Sequence, residues 1–135
     1  TKWAFGRNFR KWIIFLKTPP PGRRRLPILQ ALIEVYKLWQ DTIPHLPKTQ
    51  RYTLGSKIDT CLIHTIEAAL VASTANRTEK LPHLERAISR LDLAKFFLML
   101  SWETKALDTK RFTRIAELLD EIGRQFGGWK RQVRT

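Results

Sequence analysis

The sequence predicts an all-α fold, an antiparallel up-down four-helix bundle with a basic N-terminal extension, assembling as a homo-oligomer. Three observations predict it. Apolar residues recur at helical spacing in four successive segments, short clusters of Pro, Asn, Asp or Gly separate those segments, and the third segment is more apolar than a single bundle face requires. A chain of 135 residues with 43% hydrophobic content suits one domain, burying about two thirds of its unfolded surface.

The first 25 residues stand apart from the rest. Phe5, Phe9, Trp12, Ile13 and Leu16 fall on one side of a helical wheel and Arg7, Arg10 and Lys11 largely on the other, so a short basic amphipathic helix is expected. Such a helix suits an arm that docks a partner or nucleic acid, a segment lying on a membrane surface, or a poorly ordered leader; the arm is the favoured reading. Pro19, Pro20, Pro21 and Gly22, followed by Arg23, Arg24 and Arg25, make a stiff linker that separates residues 1–25 from the bundle. The bundle is expected over residues 26–131, with 132–135 as a basic tail.

Within the bundle, segment one runs from Pro27 to about Ile43, with Ile28, Leu32, Val35 and Trp39 on one face and Pro27 suited to the first helical turn. Pro44 and Pro47 mark the turn that ends it. Segment two begins near Thr49, whose side chain suits a helix cap, and carries Leu54, Ile58, Cys61, Leu62, Ile66, Ala69 and Leu70 at helical period to about Ala75. Gly55 costs about 1 kcal/mol there relative to Ala, which points to a close neighbour. The stretch from Asn76 to Pro82 reads as a turn, and segment three runs from Pro82 to Leu107. At about 37 to 39 Å each, segments two and three match in length, which favours an antiparallel hairpin. Segment four follows Asp108, a good N-cap, and carries Phe112, Ile115, Ala116, Leu119, Ile122 and Phe126 to a stop at Gly127 and Gly128.

Segment three places Leu84, Ile88, Leu91, Leu98 and Trp102 in one core stripe, while Leu93, Phe97 and Leu100 lie on another flank beside Phe96 and Met99. Self-association through Leu93, Phe96, Phe97 and Leu100 is therefore expected. The alternative is a broad core that reaches two neighbouring helices.

Charge points to the partner. Twenty-five basic residues against twelve acidic give a net charge of +13, and residues 1–25 hold eight basic residues and no acid. A surplus this large repels itself and draws polyanions by counterion release, so nucleic acid is the expected ligand. Arg86 and Arg90 lie one helical turn apart and suit successive phosphates, and Arg77 and Lys80 extend that charge. Arg124, Lys130, Arg131 and Arg134 close the chain with no acid after Glu121, and Arg23, Arg24 and Arg25 complete the expected contacts. Trp129, among the C-terminal cations, is expected to clasp the helix end rather than stack on a base.

Other classes are disfavoured. No stretch approaches the roughly 18 apolar residues of a membrane span, so a soluble cytoplasmic protein without membrane contact is expected. Cys61 is the single cysteine, which excludes an internal disulfide, fits a reducing compartment and reads as a small buried residue. No cofactor is expected: His45, His64 and His83 lack the preceding Glu of a di-iron bundle, and Cys61 with His64 does not close a zinc site. There is no phosphate-binding glycine loop, nucleophile elbow or His-Glu-x-x-His. One enzymatic alternative survives, in which Arg77 and His83, at about the spacing used by helical ribonucleases of the HEPN class, act on a phosphate; the expected turn splits that pair.

Three stretches carry a family resemblance: Arg51-Tyr-Thr-Leu-Gly-Ser-Lys-Ile58, Arg90-Leu-Asp-Leu-Ala-Lys-Phe-Phe-Leu98, and Leu118-Leu-Asp-Glu-Ile-Gly-Arg-Gln-Phe-Gly-Gly-Trp-Lys130. In this order they resemble the accessory variability determinant family, Avd, of bacterial diversity-generating retroelements, within the four-helix proteins related to those encoded in 23S rRNA intervening sequences. The resemblance covers about residues 26–131. It implies a homopentameric barrel of basic four-helix bundles with no catalytic site, which binds a reverse transcriptase and template RNA or cDNA in support of error-prone synthesis at adenines. It assigns no RNA contact to any residue, so the contacts named above rest on charge placement alone.

Overall fold

A computed structural model describes residues 27–134, and within them the chain folds into four long helices: α1 Pro27–Thr42, α2 Ser56–Thr74, α3 Arg77–Glu103 and α4 Thr109–Arg134. The amphipathic helix expected within residues 1–25, the linker, and Arg23, Arg24 and Arg25 lie outside the described residues.

Each helix packs on the next, and α1 closes against α4. The direction of two pairs follows from side-chain contacts. Lys57 near the start of α2 lies over the Phe97 ring toward the end of α3, while Lys80 near the start of α3 bonds the Ala72 carbonyl toward the end of α2. Likewise Lys95 meets Asp120, Glu85 meets Lys130, and Trp102 stacks on Phe112, so α3 and α4 also run antiparallel. The most extensive contact is between α2 and α3, and its chemistry explains why. Ala68, Ala69 and Ala72 on α2 and Ala87 and Ala94 on α3 are all buried, and small side chains let the two backbones approach closely. Larger side chains fill the rest of the core: Trp39, Leu32, Ile58, Leu62, Leu84, Leu91, Leu98, Leu119, Ile122 and Phe126.

Buried hydroxyls are satisfied within their own helices. Thr42, Thr65 and Ser101 donate to the carbonyls of Leu38, Cys61 and Phe97, each four residues back, so they sit in the core without stranding a polar group.

The structure departs from the sequence expectations at several places, and α2 and α3 are unequal in length, at 19 and 27 residues, because α3 starts ahead of Pro82 and α2 starts only at Ser56. First, Thr49 does not cap α2. It lies in a single turn, Lys48–Gln50, that follows Pro47, and a π-helical turn over Arg51–Gly55 then leads into Ser56. Gly55 allows that entry, because a Cβ there would lie 3.1 Å from the buried Leu46 side chain. Second, the stretch from Asn76 to Pro82 is not a turn. Asn76 is extended, helix α3 begins at Arg77, and Pro82 sits inside its second turn. There proline removes the bond to the Thr78 carbonyl, and Thr78 is exposed, so water can replace it.

Third, Gly127 and Gly128 do not stop α4, which continues through Arg134 and takes in residues expected to form a tail. Fourth, Trp129 is therefore a helical residue stacked on Phe126 at 6.4 Å, half-buried at the edge of the core rather than folded back over a helix end. Fifth, Trp102 is not in the core. The inner positions of α3 are Leu84, Ala87, Leu91, Ala94, Leu98 and Ser101, and Trp102 lies beside Phe112 at the margin with its indole N–H donated to Thr109. A pattern built on large apolar residues rotates the stripe toward Trp102, because it gives Ala and Ser too little weight.

Candidate nucleic-acid interface

The antiparallel pairings bring the end of α2, the start of α3 and the end of α4 to one end of the bundle. Three expected contacts, Arg77, Arg131 and Arg134, are exposed there. The Arg131 guanidinium reaches back along α4, close to where Gly127 and Gly128 present no side chain. Lys80 is also at this end, but its ammonium donates to the Ala72 carbonyl at 2.7 Å and closes the hairpin instead of facing solvent. Lys130 is half-buried and lies 3.7 Å from Glu85, which offsets part of its charge.

The remaining expected cations are set back from that end. Arg86 is exposed and Arg90 half-buried, and together with His64, Glu67, Ala68 and Val71 they line a groove of about 320 Å³ between α2 and α3. Arg124 is held by Glu121 through two bonds of 3.0 and 2.6 Å, so its charge is compensated within α4.

Burial pushes the Cys61 thiol above its ordinary pKa, and the charges of Lys57 and Arg90 oppose that rise. Elsewhere, α1 and α2 are tied by a polar clasp. The Tyr36 hydroxyl donates to Asp59 at 2.9 Å, and Gln40 donates to both. Burial, reinforced by the Asp59 carboxylate, raises the Tyr36 pKa.

A family model described as bAvd-like matches residues 28–133, nearly all of the described structure. The chain belongs to the bAvd-like family. A search of the curated proteins finds no match. The family is one of accessory, non-catalytic proteins associated with diversity-generating retroelements.

The bAvd-like fold explains what the three quoted stretches do. Arg51 donates to the carbonyls of Leu46 and Pro44 at 3.1 and 2.9 Å, so the first stretch secures the entry to α2. The second and third meet where Lys95 of α3 pairs with Asp120 of α4 at 3.3 Å, beside Gly123, whose missing side chain leaves room for the Lys95 ammonium. These are scaffold roles.

For the ribonuclease alternative, Arg77 and His83 share one helix, contrary to the expected split. Six residues at about 100° each turn their side chains to different faces. Arg77 is exposed in the first turn, whereas His83 is half-buried with its Nδ1 lacking a partner among the described residues. Among the described residues no group of three or more His, Cys, Asp and Glu side chains is placed to hold a metal ion, and no helix is long and apolar enough to cross a membrane.

Sequence reasoning missed His64 as a neighbour of Arg86 and Arg90. The signal was available only through the hairpin register, since a link of two residues, Ala75 and Asn76, sets which turns of α2 and α3 face each other. It also passed over Lys105, Lys110 and Arg114, which are exposed toward the opposite end.

Proposed function

We propose that this bAvd-like protein is a non-catalytic accessory factor of a diversity-generating retroelement. In this reading an up-down four-helix bundle binds template RNA or cDNA and a reverse transcriptase in the cytoplasm, and assembles as a homo-oligomer, a pentamer by the family resemblance. The observation that carries the nucleic-acid part is the end of the bundle where Arg77, Arg131 and Arg134 stand exposed on two helices. Arginines on separate elements offer phosphate contacts without competing for one face, and Arg86 extends the positive surface along α3.

Fluorescence anisotropy with a labelled single-stranded RNA at several salt concentrations tests this. Affinity should fall with salt at a slope of about 0.7 per phosphate neutralised, and Arg77→Glu/Arg131→Glu/Arg134→Glu should lower that slope by about 2. An unchanged slope and affinity would remove this end of the bundle from the interface. Incubation of the protein with RNA tests the non-catalytic part. Cleavage that disappears in His83→Ala would favour the ribonuclease reading instead.

A further inference from the structure

The groove between α2 and α3 gathers charge that the protein itself does not use. Arg86, Arg90, His64 and Glu67 line it, and among the described residues no side chain of the four makes a hydrogen bond or ion pair. Other cations of α3 and α4 are engaged: Lys80 donates to the Ala72 carbonyl, Lys95 pairs with Asp120 and Lys130 with Glu85. Arg90 is half-buried, and a guanidinium partly withdrawn from water without an anion is costly to hold. An anion seated in the groove offsets that cost.

The antiparallel register orders these groups along the groove. Lys57 of α2 lies over Phe97 of α3 and Lys80 of α3 reaches Ala72 of α2, so His64 stands level with Arg90, Glu67 near Arg86, and Val71 beyond them. From His64 to Val71 is about 10 Å of helix. Arg86 and Arg90, one turn apart, make the cationic side, with His64 as a further donor. Ala68 and Val71 make an apolar wall, and Val71 is 44% exposed. The groove's volume of about 320 Å³ is near the lower limit for a small-molecule site, which suits one nucleotide and not a run of them. Guanidinium forks match a phosphate, an apolar wall matches the flat face of a base, and a carboxylate accepts from an amino group at the base edge.

We infer that this groove binds one nucleotide carrying an amino-bearing base. Arg86 and Arg90 hold the phosphate, with His64 donating to it, while Ala68 and Val71 cover one face of the base and the Glu67 carboxylate accepts from its amino group. The inference rests on the nucleic-acid reading of the proposed function and deepens it: there Arg86 only adds charge, whereas here the groove selects among bases. Cytosine presents an amino group where uracil presents a carbonyl oxygen that a carboxylate repels, so Glu67 favours cytosine. A free nucleotide and an unpaired nucleotide of a strand offer the same chemistry, and the experiment separates the two sources.

NMR titration of the isotope-labelled full chain with CMP, UMP, cytidine and ribose phosphate tests the site. CMP should shift the Ala68, Val71 and Arg90 amides and bind about tenfold more tightly than cytidine, which lacks the phosphate, or ribose phosphate, which lacks the base. It should exceed UMP by about tenfold, and Glu67→Gln should bring the two within about threefold, because an amide both donates and accepts. Arg86→Gln, a change at an exposed position, should weaken CMP about tenfold. Equal affinities for CMP and ribose phosphate, or shifts confined to other residues, overturn the nucleotide site, and equal affinities for CMP and UMP in the wild type overturn the role of Glu67. Anisotropy with labelled oligocytidine and oligouridine identifies the source. A preference for oligocytidine that Glu67→Gln removes puts a strand nucleotide in the groove, whereas CMP binding without that preference makes the free nucleotide its ligand. Salt-dependent strand binding with neither a bound nucleotide nor a base preference overturns this inference and leaves the nucleic-acid reading standing; a protein that binds no strand at any salt concentration overturns that reading itself.

Discussion

Replacing Gly127 and Gly128 together by Ala is expected to stabilise the protein by about 1 to 2 kcal/mol, since Gly inside a helix costs about 0.5 to 1 kcal/mol relative to Ala. Both residues lie well inside α4. A Cβ on Gly127 would lie 3.6 Å from Arg131 Nη1 and one on Gly128 would lie 3.8 Å from Nη2, ordinary contacts with the end of a flexible side chain. The helical gain is therefore not cancelled by crowding. For a domain of this size the gain corresponds to a rise in Tm of about 4 to 8 °C. Gly55→Ala should move the other way, because its Cβ would lie 3.1 Å from Leu46 Cδ1 and 3.4 Å from the Gln50 carbonyl oxygen, and Leu46 is buried. Overpacking of that kind costs about 1 to 3 kcal/mol. Thermal unfolding followed by circular dichroism measures both. A lower Tm or a smaller helical signal for Gly127→Ala/Gly128→Ala would show that the glycines end α4, as their sequence pattern suggests, and would refute the continuous helix.

Two further outcomes follow from the connection between α3 and α4. Lys105 holds φ at 64°, in the left-handed region that glycine favours, while the amides of Ala106 and Leu107 bond the Ser101 carbonyl at the helix end. Lys105→Gly should therefore raise the urea midpoint by the equivalent of about 1 kcal/mol with an unchanged m-value, and a lower midpoint would contradict it. Asp108 accepts bonds from the Arg111 guanidinium and from the Arg111 amide, which hold its carboxyl below the ordinary carboxylate range. A depressed folded pKa stabilises fully above the unfolded value and is lost as pH falls through the folded value. The Tm gap between wild type and Asp108→Ala should thus stay level at neutral pH and narrow in strong acid; a gap that persists undiminished there would exclude the charge as its source.

How far the site was legible depended on whether each residue's environment was local. The Asp108 cap was readable because the bond it makes is three residues away, whereas Arg124, expected to contact nucleic acid, is held by Glu121 within α4. Lys80 was not readable, because its partner is the Ala72 carbonyl across a turn that the sequence had placed elsewhere. Proline at position 82 and the paired glycines at 127 and 128 are strong local punctuation, yet packing of α3 and α4 outweighs both. The surplus apolar surface of α3 divides in the structure. Leu93 and Phe97 pack partly against the core, while Phe96 and Met99 remain exposed.

Periodicity and charge, both one-dimensional properties, were sufficient to determine an all-helical chain with four amphipathic segments and a strongly cationic character, while the family resemblance was carried by three motifs in order. Tertiary packing decided everything that depends on which turn faces which. The short link between α2 and α3 set the register that joins His64 to Arg86 and Arg90. The antiparallel return of α4 brought Arg131 and Arg134 to the same end as Arg77. Buried alanines on α2 and α3 set which side of α3 faces the core and left Phe96 and Met99 exposed. The physical reason is that a helix's own sequence sets what lies on each face, but only the close approach of its neighbours selects which face is left in water.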